Sequence, residues 1–103
     1  MKSYVLTPAA IQDLQTIRSF IAGDNPEAAR RVLKNLRSAI RKLTKHPGTG
    51  HPRQDLADPK HRFLLVYSYF IVYLAGTNPL QVIRILHSAR DVQTLLGPPS
   101  EGT

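Results

Sequence analysis

The sequence predicts an α+β domain in which a two-helix hairpin packs on an antiparallel sheet, with the element order strand, helix, helix, strand, strand, strand. Three observations carry that prediction: two helical stripes of apolar residues, each preceded by a capping residue and a proline; three later runs rich in β-branched and aromatic residues; and a Gly76-Thr77-Asn78-Pro79 turn between the last two. At 103 residues the chain has room for one core of two layers. Residues 1–96 are expected to form that single domain, and residues 97–103, which lack apolar side chains, a loose tail.

The first strand is expected at Lys2–Leu6, where Tyr4 and Val5 suit a pleated surface and Thr7-Pro8 ends it. Thr7 then caps a helix, with Pro8 in the first turn where its missing N–H costs nothing. Ala10, Leu14, Ile17 and Ile21 recur at spacings of four, three and four, so they form one stripe that must face a core. Gly23-Asp24-Asn25-Pro26 ends this helix and caps the next, with Asp24 or Asn25 as the cap and Glu27 near the positive end of the dipole. The second helix, about Pro26 to Lys45, buries Ala29, Val32, Leu36, Ile40 and Leu43 and is cationic over the rest of its surface.

His46-Pro47-Gly48-Thr49-Gly50-His51-Pro52 stops that helix, and a loop is expected to about His61. Strands follow at Phe63–Tyr67, Tyr69–Ala75 and Leu80–His87, and Ser88–Leu96 suits a short helix that packs Val92 and Leu95 on the sheet. Two helices cover only one face of a four-stranded sheet. The other face is therefore expected to be solvated, covered in part by the loop from Gly48 to His61, or reserved for a partner.

Composition narrows the function classes. Zero cysteines exclude disulfides and thiolate metal sites and fit a reducing cytoplasm. The opening residues lack a secretory apolar run, and Phe63–Gly76 is too short and too interrupted to span a bilayer, so neither export nor a membrane partner is expected. His46, His51, His61 and His87 lack the spacing that would converge on one ion, so no metal and no cofactor are expected. The net charge of +7 attracts nucleic acid, acidic protein or anionic lipid without choosing among them. Seven of the fourteen basic residues lie between Arg30 and Lys45, so the excess is local.

Four stretches resemble one family. YVLTPAAIQDLQTIRSFIA, with its acidic Asp13, is similar to the family's first strand and helix; KLTKHPGTGHPRQDL to its helix end and Pro-Gly loop; HRFLLVYSYFIVYLAG to an arginine-led strand followed by a strand with an apolar-Tyr pair, here Val72-Tyr73; and VIRILHSARD to its closing pattern of arginine, two apolars, histidine, two small residues, arginine and aspartate. On these the chain is identified as a member of the RelE/ParE superfamily of type II toxin-antitoxin toxins, within the ParE branch. The resemblance implies a cytoplasmic toxin that inhibits DNA gyrase, is neutralised by a ParD-like antitoxin, takes part in stress response, and reaches operator DNA only through that antitoxin. It leaves two alternatives: a RelE-like ribosome-dependent endoribonuclease acting on mRNA, and an inactive toxin that serves only in the antitoxin complex and operator repression.

Arg62, Arg84 and His87 are the side chains a ribonuclease would use, because Arg62 and Arg84 match family positions for stabilising a phosphorane and His87 is the terminal acid-base group. That set is incomplete, since Arg53 and Lys60 match the family's loop lysines only loosely. Arg84 interrupts an apolar strand, and strict alternation would put it on the face of Val82 and Leu86, to contact phosphate or a partner carboxylate, or to pair with Asp91. For partner binding the candidates are Arg30, Arg37 and Arg41, which would steer an acidic antitoxin segment, together with Leu33 and Arg84. Leu33, Phe20 and Leu6 lie off the main stripes and would form part of an apolar groove. Direct nucleic-acid binding by the cationic face lacks interleaved aromatics and any helix-turn-helix signature.

Overall fold

A computed structural model describes residues 4–52 and 60–87. Its elements are β1 (Tyr4–Leu6), α1 (Pro8–Ala22), α2 (Pro26–Lys45), a 3-10 turn at Pro47–Thr49, β2 (His51–Pro52), β3 (His61–Val66), β4 (Tyr69–Leu74) and β5 (Leu80–His87). Arg53, the short helix expected at Ser88–Leu96 with Asp91, Val92 and Leu95, and the tail at 97–103 lie outside the described residues.

Both helix starts follow the local chemistry. Thr7 Oγ1 accepts from the Ala10 N–H at 3.1 Å and also donates to the Ile83 carbonyl at 2.7 Å, so one hydroxyl caps α1 and ties it to β5. Asn25, rather than Asp24, caps α2 by accepting from the Ala28 N–H at 3.1 Å. The core lies between the hairpin and one sheet face. Ala10, Leu14 and Ile17 of α1 and Leu36, Ile40 and Leu43 of α2 close on Ile71, Tyr73, Leu80, Val82 and Ile85.

The sheet departs from the expectation in three ways. It has five strands in the order β1-β5-β4-β3-β2, because two residues of the expected loop, His51 and Pro52, pair antiparallel with Phe63 and Arg62. It is mixed, because β1 runs parallel to β5, a pairing that the long crossover through α1 and α2 permits. The third departure is a bulge. Val72 pairs with Arg84 but Tyr73 pairs with Val82, so Ile83 is an extra residue on β5.

That extra residue inverts the alternation within β5. Val82 and Ile85 face the helices, whereas Leu86 packs on the far face with Phe63, Val72 and Phe70. Arg84, opposite Val72, therefore shares a row with Leu86 but not with Val82, which corrects the strict period-two reading. The far face is not simply solvated either: Phe63, Val72 and Leu86 are 2, 3 and 0% exposed within the chain itself. Apolar groups of that size stay out of water because burying each contributes about 1.5–3 kcal/mol.

Candidate functional site

A groove of about 580 Å³ runs between α1 and α2. Its floor is apolar, from Ala22, Ala29 and Leu33, and its rim is cationic, from Arg18 of α1 and Arg30, Lys34, Arg37 and Arg41 of α2. The α2 cations follow one another at spacings of four, three and four, which sets them in a single row along the helix. A smaller hollow of about 190 Å³ shares Arg18, Leu33 and Arg37 and extends the groove past Leu6 and Ile11 toward β1. Leu33, off the main stripe in the sequence, thus floors both hollows. Phe20 is elsewhere, 72% exposed on the outer side of α1 beside Gln12, Gln15, Thr16 and Ser19. Glu27 reaches Arg30 at 3.6 Å, but both side chains are so exposed that this pair leaves the groove's field cationic.

Arg84 meets a partner that sequence spacing did not indicate. Its Nε and an Nη donate to the two carboxylate oxygens of Asp13 at 2.7 and 2.9 Å, a bidentate fork. Asp13 Oδ2 also accepts the Ile85 N–H at 2.9 Å. β1 pairs with β5 only as far as Val82, so the Asp13 carboxylate takes the place of the missing strand neighbour. An acid beside the buried stripe of α1 and a lone arginine inside an apolar strand are complementary charges. That complementarity is the signal by which the pairing was discoverable.

Arg62 is engaged too. Its guanidinium donates to the Gly50 carbonyl at 2.8 Å. The Tyr73 hydroxyl accepts from the Gly50 N–H at 2.9 Å and donates to the Pro47 carbonyl at 2.6 Å. These bonds fasten the Pro47–Pro52 segment to the sheet, and burial pushes the Tyr73 phenol above its usual pKa against the opposing pull of Gly50 and Arg62. In the sequence Tyr73 stands out only as part of an apolar-Tyr pair, because its partners are loop backbone groups that no side-chain pattern reveals.

His87 ends β5 with its ring edge-to-face on Tyr69 at 5.8 Å. It stands opposite Tyr69, which pairs with Val66, while Arg62 lies four residues earlier in β3 and two strands away. At about 3.3 Å per residue and 4.8 Å per strand, their backbones are roughly 16 Å apart. Arg62, Arg84 and His87 are therefore not brought to one point. Among the described residues no three His, Asp or Glu side chains gather to hold a metal ion, and no helix is long and apolar enough to cross a membrane.

The chain is thus a mixed sheet covered on one face by a helical hairpin, with an apolar cleft rimmed by cations along that hairpin. Residues 4–92 match the family described as ParE toxin of type II toxin-antitoxin system, parDE, and the chain belongs to that family. It is 34% identical over 91 residues to Toxin RelE2 of Caulobacter vibrioides (strain ATCC 19089 / CIP 103742 / CB 15), covering 87% of this chain and 99% of the relative. Toxin ParE1 of the same organism is 29% identical over 98 residues, covering 94% of this chain and all of the relative (100%). A solved structure described as the chromosomal ParDE TA system from P. aeruginosa superposes with a TM-score of 0.67 at 22% identity, covering 82% of this chain and 94% of that one, a likeness of fold. The two relatives bear names from both branches, so their names alone do not select a target.

Proposed function

We propose that this toxin acts by docking on DNA gyrase rather than by chemistry of its own, and that a ParD-like antitoxin neutralises it by laying an acidic amphipathic segment in the α1–α2 groove. The observation that carries the docking mechanism is the commitment of the arginines: Arg84 holds Asp13 and the β5 edge, and Arg62 holds the Gly50 loop, so both support the fold. A nuclease needs its acid, base and phosphate-stabilising groups within hydrogen-bond reach of one scissile bond. The spread from Arg62 to His87 does not supply that reach. The gyrase target is supported by membership of the ParE family, and the groove supports the antitoxin: Leu33 and its neighbours offer an apolar seat, and the row of cations complements an acidic rim.

A supercoiling assay with purified gyrase, relaxed plasmid and ATP tests the target. Inhibition that antitoxin relieves is the expected result; full supercoiling alongside mRNA cleavage on translating ribosomes would replace this reading with the ribonuclease one. For the groove, Arg37→Ala with Arg41→Ala is expected to slow antitoxin association about tenfold at low salt, with the difference shrinking as salt rises. Stopped-flow association rates check it, and an unchanged rate would remove these side chains from the interface.

A further inference from the structure

α2 carries two rows of cations, and the groove uses only one. Arg31, Lys42 and Lys45 form the second: Lys42 lies 11 residues and Lys45 14 residues beyond Arg31, about three and four helical turns. This outer row is set roughly a quarter of a turn around the helix from the groove row, so filling the groove does not require covering it. All three side chains are exposed and none lines the groove. Among the described residues none of them is paired with a carboxylate.

We propose that this outer row is a contact surface for the phosphate backbone of double-stranded DNA. Its chemistry selects the occupant. Unlike the groove, the row has no apolar floor; the position between Arg31 and Lys45, seven residues from each, is Ser38, and the neighbouring Asn35 is bound to the Tyr67 hydroxyl. A protein partner needs an apolar or aromatic centre to anchor on, and a membrane surface needs an apolar face to insert. Single strands call for aromatic platforms on which bases stack. A row of cations without an apolar floor, with a single half-exposed ring beside it (Tyr67, its hydroxyl bound by Asn35) rather than a series of stacking platforms, matches an array of phosphates, which asks only for spaced positive charge.

The dimensions agree. Arg31 to Lys45 spans about 21 Å of helix axis, along which a duplex presents about twelve phosphates. Nothing in the row reads base edges, so the contact is independent of sequence. It departs from the expectation that operator DNA is reached only through the antitoxin, and it does not depend on the gyrase reading.

The test measures binding of the full chain to a fluorescent duplex of about 20 base pairs and arbitrary sequence by anisotropy, between about 50 and 200 mM salt. The triple variant Arg31→Gln, Lys42→Gln, Lys45→Gln is expected to flatten the slope of log affinity against log salt by about two to three and to weaken low-salt binding at least tenfold. Arg30→Gln, Arg37→Gln, Arg41→Gln removes the same charge from the groove and is expected to change the slope by less than about one. Equal losses in the two variants would overturn the proposal in favour of bulk charge. Absence of duplex binding by the unmodified chain, or a single strand bound as tightly as the duplex, would overturn it as well. Every replaced side chain is exposed, so circular dichroism is expected to be unchanged.

Discussion

Asp13→Ala is expected to lower the free energy of unfolding by about 2–4 kcal/mol, because it removes the bidentate fork from the Arg84 guanidinium and the acceptor from the Ile85 N–H in one step. The two side chains are only 28% (Arg84) and 14% (Asp13) exposed, so solvent screens the pair far less than a surface ion pair. For a domain of this size the melting temperature is expected to fall by roughly 10 °C or more. Adding Arg84→Leu should recover part of the loss by removing a part-buried charge that no longer has its carboxylate fork. Recovery stays incomplete because the Ile85 N–H still lacks its acceptor. Urea unfolding of both single variants and the double measures the coupling, and a cost below about 0.5 kcal/mol for Asp13→Ala would show that water replaces the carboxylate. One consequence concerns function. Loss of toxicity in an Arg84 variant reports on the fold before it reports on any target contact.

Gly50→Ala is expected to cost about 2–3 kcal/mol for a different reason. The backbone there is extended, with φ −75° and ψ 172°, which any residue adopts. The obstacle is space: an added Cβ would stand 2.6 Å from Tyr73 Oη, 2.9 Å from its ring and 3.0 Å from the Phe63 carbonyl oxygen. Tyr73 is fully buried and held by Pro47 and Gly50, so it has nowhere to retreat. Tyr73→Phe removes the nearest atom but leaves the Pro47 carbonyl and the Gly50 N–H without that partner. Combined with Gly50→Ala it is therefore expected to cost less than the sum of the single changes. Strict additivity in thermal or urea unfolding would place the strain somewhere other than the phenol oxygen.

These two sites mark where sequence reasoning stopped. The helices were legible because their signals are local: Thr7-Pro8 and Asn25-Pro26 cap by bonding three residues ahead, and the stripes from Ala10 to Ile21 and from Ala29 to Leu43 repeat within a few turns. The strands at Tyr69 and Leu80 were legible for the same reason. The two-residue strand at His51–Pro52 was not, since Pro and His carry no strand preference and the pairing is dictated by β3. Leu33 was singled out as an off-stripe apolar residue, and the structure shows what it lines; the division of the cations into two rows became meaningful only when α1 was placed along one of them.

Composition and periodicity by themselves determined the order of elements, the core faces of both helices and the cationic character of α2, because each is encoded within a span of about four residues along one chain segment. The tertiary structure decided the parallel docking of β1, the bulge at Ile83 that reverses the faces of β5, the fork from Arg84 to Asp13 and the clasp of Tyr73 on Gly50. Those depend on groups 9 to 76 residues apart in sequence and on different elements, whose meeting is set by how strands register and layers pack rather than by any local preference.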